Sequence, residues 1–223
     1  MRIAGLNKFS TFDYPGRMSS VIYTPGCDFN CWWCPHPEYL EANCPLIPEE
    51  EVMDFLRNRN GMVEAVVISG GEPTLQADLA QFIRTCRHIG YLISLRTNGS
   101  NPRVVEGFLS ERLVHRVEIN FKAPTDQYSK FGGFHGDAVL QTIDAARRSR
   151  TEYAVRTVVR PDMTENEIER MSRETGETAE WILLPYGPPG ASADDVKKAQ
   201  DLLPVLGAVL EKTQPNVRIG RRI

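Results

Sequence analysis

The feature that most constrains this chain is an alternation. Short runs rich in Val, Ile and Tyr recur between stretches that carry helix signals. The strand candidates are residues 19–24, 63–69, 92–96, 114–120, 154–159 and 180–184, with a weaker seventh near 217–219. Several are continuous apolar runs, the pattern of parallel strands covered on both faces. Pro48 opens a helix with Glu49, Glu50 and Glu51 in its first turn, where carboxylates complement the helix dipole, and Gly61 follows its end. The stretch 75–89 closes at Gly90, and Asn101-Pro102 reads as a cap followed by a first-turn proline. Thr164 with Glu167 resembles a capping box, and Ser192 with Asp195 a weaker form of one. Pro204 predicts a break or kink in the last helix near Leu203. Repeated strand–helix units predict an α/β fold with a mostly parallel sheet. An open twisted sheet and a curved, barrel-like one read alike at this level.

Composition narrows the class. The 223 residues suit one domain, 1–223, and 41% hydrophobic residues argue against wholesale disorder. The net charge of -3 gives no generally basic surface for nucleic acid. No apolar stretch approaches the roughly 18 residues that cross a bilayer, so no membrane partner is expected. The start, Met1-Arg2-Ile3-Ala4-Gly5, shows no secretory signal. Five cysteines, three of them within eight positions, fit a metal site in the reduced cytoplasm better than a disulfide scaffold.

Those three are Cys27, Cys31 and Cys34, in a loop spanning about 25–36 directly after the first strand candidate. Thiolates spaced C-x3-C-x2-C can wrap one compact centre, and soft sulfur favours iron–sulfur clusters, zinc or Cu(I). Structural zinc and most 4Fe–4S electron carriers take four protein ligands. Three leave one position open for chemistry, unless Cys44 or His36 completes a zinc site. A second element follows the strand at 63–69: Gly70-Gly71-Glu72-Pro73. Paired glycines permit close approach to the backbone, and Glu72 sets a carboxylate at the strand end where α/β folds bind ligands.

On these residues the chain resembles the radical S-adenosylmethionine (SAM) superfamily. Within it the chain is most similar to glycyl-radical-enzyme activating enzymes, and among those to activating proteins of anaerobic ribonucleoside-triphosphate reductase. The resemblance runs from about residue 9 to 189. Besides the cysteines it includes Asp13-Tyr14-Pro15-Gly16-Arg17, the run from Val66 to Gln76, Thr97-Asn98-Gly99-Ser100, Lys122-Ala123-Pro124 and Arg156-Thr157-Val158-Val159. It implies a partial (β/α)6-type barrel in which Cys27, Cys31 and Cys34 hold one 4Fe–4S cluster. The fourth iron would be chelated by SAM. It further implies a glycyl radical enzyme as partner and a flavodoxin- or ferredoxin-type electron donor.

By the same resemblance Gly70, Gly71 and Glu72 meet the SAM amino group, Trp33 packs near the adenine, and Thr97, Asn98, Lys122 and Arg156 contact SAM. Leu183-Leu184-Pro185-Tyr186 lies where relatives wrap the adenine. Two departures stand out. Close relatives read Asp-Thr-Asn-Gly and Met-Asp-x-Lys where this chain has Arg96-Thr97-Asn98-Gly99 and Ile119-Asn120-Phe121-Lys122. In one activating branch those aspartates help hold a monovalent cation, so none is expected here. Arg96 is expected to replace it, reaching the SAM carboxylate or pairing with a nearby acid.

Trp32 reads as packing, Cys86 as a small buried hydrophobe and Cys44 as a free thiol. His88, His115 and His135 show no partner pattern, and Arg218, Arg221 and Arg222 read as a solvated tail over about 216–223. No second cysteine group appears, so no auxiliary cluster is expected. Two rivals remain: a radical SAM enzyme with a small-molecule substrate, such as a deazapurine-forming enzyme, and a non-catalytic zinc module using Cys44.

Overall fold

The structure, a computed structural model, describes residues 1–132 and 136–221. Its strands are β1 (Gly5–Tyr14), β2 (Arg17–Thr24), β3 (Ala65–Gly70), β4 (Leu92–Thr97), β5 (Arg116–Asn120), β6 (Glu152–Val159), β7 (Trp181–Pro185) and β8 (Val217–Ile219). Its helices are α1 (Glu49–Arg59), α2 (Leu79–Ile89), α3 (Pro102–Ser110), α4 (Gly136–Arg148), α5 (Glu165–Thr175) and α6 (Ala193–Leu210). All eight strands form one sheet in chain order. β1 and β2 pair antiparallel, and every later pair is parallel. The sheet curls into a partial barrel, and Arg221, just past β8, reaches the Phe12 ring of β1 at 5.7 Å.

The strand period of two sorts the residues. Ile22, Val66, Ile68, Ile93, Leu95, Val117, Ile119 and Val155 pack against the helices in the main core. The other face carries small apolar clusters at its flanks, Val21, Tyr23 and Val67 on one side and Ala154, Ile182 and Leu184 on the other. Between them stand Ser94 and Arg96 of β4, Arg116 and Glu118 of β5, and Arg156 of β6, all buried. The inside of the barrel is therefore charged in the middle.

The sequence reading missed β1. Its polar residues obscure any apolar run, because β1 is an edge strand joined to β2 through Pro15 and Gly16, the latter at φ +70°. Three helix details also differ. The helix predicted over 75–89 starts at Leu79, after a separate turn at Pro73–Leu75. Asn101 makes no capping bond; its side-chain amide donates to Thr74 Oγ1 instead. α6 continues through Pro204 to Leu210, and exposed Gln200 leaves the carbonyl that loses its donor open to water. Thr164 and Ser192 do cap, accepting from the Glu167 and Asp195 amides. Among the described residues no helix is long and apolar enough to cross a membrane. His135 and Arg222 lie outside the described residues.

Candidate functional site

The C-terminal strand ends build a cavity around the cysteine loop. The loop leaves β2 at Thr24 and is pinned on several sides. Gly26 N–H donates to the Tyr39 carbonyl at 2.9 Å, Cys27 N–H to that of Leu40 at 3.1 Å, and Asn30 N–H to that of Phe131 at 2.8 Å. The end of β3 grips it from below: Gly71 N–H donates to Thr24 O at 2.8 Å and Glu72 N–H to Gly26 O at 2.7 Å. A Cβ on Gly71 would fall on the Gly26 carbonyl, and one on Gly70 on the Thr24 backbone. The glycine pair thus lets the chain approach itself, fixing the cysteine loop against β3.

Cys27, Cys31 and Cys34 line this cavity with Trp33, His36, Gly70, Gly71, Asn98, Asn120, Lys122 and Arg156. Burial pushes the Cys27 thiol up to about 12 and raises that of Cys34. Lys122 is enclosed as well; burial works against its charge, but the three thiols and Glu72 hold its pKa above the usual lysine value. Asn98 ties β4 to the loop, its amide donating to Asp28 Oδ1 at 2.6 Å and reaching Cys27 Sγ at 3.8 Å. Two buried polar atoms of residues at the cavity make no hydrogen bond among the described residues, His36 Nε2 and Arg156 Nε, the latter 3.4 Å from the Glu118 carboxylate. Such atoms call for a ligand that accepts or donates there.

Not every residue singled out from the sequence lines the cavity. Glu72 is fully buried and does not line the cavity. Its carboxylate accepts from Thr74 N–H at 3.0 Å, Thr74 Oγ1 at 2.6 Å, Thr97 Oγ1 at 2.7 Å and Asn98 N–H at 2.6 Å. Burial raises its pKa against these four donors. Glu72 therefore fastens β3 to β4, and Thr97 Oγ1 is one of its donors. Arg96 also stays out of the cavity and pairs with acids, the second of the two outcomes expected for it. Its guanidinium donates to Glu118 at 2.7 Å, to the Asp13 carboxylate at 2.6 Å and to the Asp13 carbonyl at 2.9 Å.

Trp33 is buried, edge-on to Phe131 at 4.6 Å, whereas Trp32, read as packing, is 53% exposed beside Tyr186. Cys44 does not line the cavity, and Cys86 is fully buried in α2. Sequence reasoning missed Phe29 and the segment at Gly187 and Pro188, which also line the cavity. Phe29 adjoins residues it did single out, which is the one signal available.

Among the described residues, no three His, Cys, Asp or Glu side chains are grouped to hold a single metal ion. Three thiols lining one cavity are the soft donor set that iron–sulfur clusters take. A larger, more open depression of about 1040 Å3 lies at the opposite strand ends, beside Arg17, His115 and Arg150. It has no thiol, and α/β folds bind their ligands at the other end.

Comparison with known proteins agrees with this arrangement. A Methanocaldococcus jannaschii protein provisionally named a glycyl-radical enzyme activating enzyme is 29% identical over 97% of this chain and 95% of its own length. A Pyrococcus horikoshii protein provisionally named a GTP 3',8-cyclase is 28% identical over 74% of this chain and 54% of its own, so the chain spans about half of it. SuiB of Streptococcus suis shares the fold, with a TM-score of 0.66 and 15% identity over 91% of this chain and 49% of SuiB. Its form bound to S-adenosylmethionine gives 0.62. The sequence profile of the radical SAM superfamily matches residues 21–174, from within β2 to the last turn of α5. The chain belongs to the radical SAM superfamily.

Proposed function

We propose that this chain is the activating enzyme of a glycyl radical enzyme, and that its partner is an anaerobic ribonucleotide reductase. The observation that carries the reading is the cavity: three thiols, the Lys122 side chain and the Arg156 side chain line one space. The M. jannaschii relative supports the activating branch, because the match covers 95% of its length. When bound, a three-thiolate 4Fe–4S cluster with SAM supplies one-electron cleavage to methionine and a 5′-deoxyadenosyl radical, which removes a glycine Cα hydrogen.

The chain's own residues bind and orient. Cys27, Cys31 and Cys34 hold the cluster, and the Lys122 ammonium offsets its negative charge. Arg156 offers its guanidinium to the SAM carboxylate. Asn98 holds the loop at Cys27, while Trp33, Val158 and Leu184 give the cavity apolar walls that keep water out. Arg96 stands where relatives that hold a monovalent cation carry an aspartate, so it removes a ligand of that cation, and its own charge is balanced by Asp13 and Glu118. The reduced thiols suit the cytoplasm, where an acidic flavodoxin or ferredoxin would supply the electron.

Reduced, reconstituted protein mixed with SAM and an anaerobic reductase without oxygen should give a glycyl radical by electron paramagnetic resonance. A reductase with that glycine changed to alanine should give none. Cys27→Ala, Cys31→Ala and Cys34→Ala should each lose iron, and Cys44→Ala should keep it. A SAM-dependent small-molecule product with no radical on any protein would overturn the reading.

A further inference from the structure

Arg160, one residue past β6, is among the most enclosed cations in the molecule, at 3% exposure. Its guanidinium touches four separate segments. Nη1 donates to the Lys122 carbonyl at 2.8 Å, Nη2 to Glu167 at 2.6 Å on α5, and Nε to Asp162 at 3.1 Å. Its flat face covers the Trp33 ring at 4.8 Å and approaches Phe131 at 5.8 Å. Trp33 stands between Cys31 and Cys34. Phe131 packs on Trp33 and accepts the Asn30 amide, so both of its contacts bear on the cysteine loop.

We infer that Arg160 is a positioning residue for the cysteine loop. Through its face it sets Trp33, and with it Cys31 and Cys34; through Nη1 it sets Lys122, whose ammonium faces those thiols. A guanidinium does both at once because its donors lie in its plane while its face stays free for an aromatic ring. Glu167 on α5 holds the guanidinium, so a helix outside the cavity is coupled to the thiol spacing. Lysine, a point charge, can keep the Glu167 pair or the ring contact but cannot reproduce the fork. The inference rests on the cluster reading only for its consequence, since the contacts themselves belong to the metal-free chain.

The test compares thiol alkylation in metal-free protein under native conditions, each cysteine followed by mass spectrometry. Arg160→Met with Glu167→Gln removes the clamp without leaving a buried carboxylate unpaired. Cys31 and Cys34 should then react at least about tenfold faster, while fully buried Cys86 in α2 is unchanged. Arg160→Lys should give the same pattern at about threefold. After iron loading, the double variant should lose iron to a chelator about tenfold faster than the wild type. A parallel rise at Cys86 would mean general loosening, and an unchanged rate at Cys31 and Cys34 would mean no clamp; either overturns the inference. A wild type that never retains iron would sink the cluster reading, while the alkylation rates still decide the clamp.

Discussion

Arg96 and Arg156 stand on β4 and β6, on either side of Glu118 on β5, and their surroundings differ. Both are equally buried, at 5% and 4% exposure. Arg96 makes three hydrogen bonds, and although burial works against its charge, Glu118 and Asp13 raise its pKa. Among the described residues Arg156 has one ion pair, its Nε 3.4 Å from Glu118 Oε2 without hydrogen-bond geometry. Burial and the neighbouring Arg96 charge lower its pKa to about 9. Partners, and not depth, separate the two. Arg96 is compensated by the protein, so it belongs to the fold; Arg156 lines the cavity with donor capacity left over, so it is the one suited to an incoming carboxylate.

The largest effects should come from removing what balances Arg96. Glu118→Gln leaves Arg96, Arg116 and Arg156 without their shared carboxylate, and Arg96→Met leaves buried Asp13 without a cation and Glu118 with only Arg116 and Arg156. Each should cost about 3–5 kcal/mol in urea unfolding, the usual result of breaking one side of a buried ion pair. The same change at the second site should behave in the opposite way. Arg156→Met should alter stability by about 1 kcal/mol or less, because it removes a poorly compensated charge, yet weaken SAM binding about tenfold. If Arg156→Met destabilises as much as Arg96→Met while SAM affinity holds, the contrast fails.

A smaller effect follows from acid. Burial alone would raise the Glu118 pKa, but Arg96, Arg156 and Arg116 outweigh it and hold the carboxyl at about 2, against 4.5 when unfolded. A lowered carboxyl pKa stabilises the fold above the unfolded value, and that contribution is lost as pH falls from about 4.5 towards about 2. Wild type minus Glu118→Gln, measured as unfolding free energy against pH, should therefore shrink across that window by about 3 kcal/mol. A difference independent of pH would show that Glu118 is not held ionised by the three arginines.

The sequence made the thiol trio, the glycine pair and the strand alternation readable because each is contiguous. Neighbouring residues announce a loop, a turn or a run without reference to the rest of the chain. The role of Glu72 was not readable, nor which acids Arg96 meets, because their partners are set by sheet register. Glu72 is bound from Thr97 and Asn98, beyond a whole helix, and Arg96 from Asp13, 83 residues away. Asp13 became available only because β1 folds back on β2, and β1 was the strand that composition hid. Arg160 was invisible for the same reason: nothing near it in sequence points to Trp33.

The smallest expected effect concerns monovalent cations. The cavity offers neutral Asn120 together with the cationic Lys122 and Arg156, and the acids Asp13 and Glu118 are taken up by Arg96. A sodium or potassium ion entering there would meet like charge in a partly desolvated space, where unit charges about 4 Å apart repel by a few kcal/mol. Replacing sodium or potassium with a bulky organic cation at constant ionic strength should therefore leave the KM for SAM within about twofold. Arg96→Asp with Asn120→Asp changes that balance, since Asp13 and Glu118 lose their guanidinium and gain two further carboxylates nearby. That variant should bind SAM better when a small monovalent cation is supplied, while the wild type stays indifferent. Strong activation of the wild type by sodium or potassium would show that Arg96 has not removed the ion.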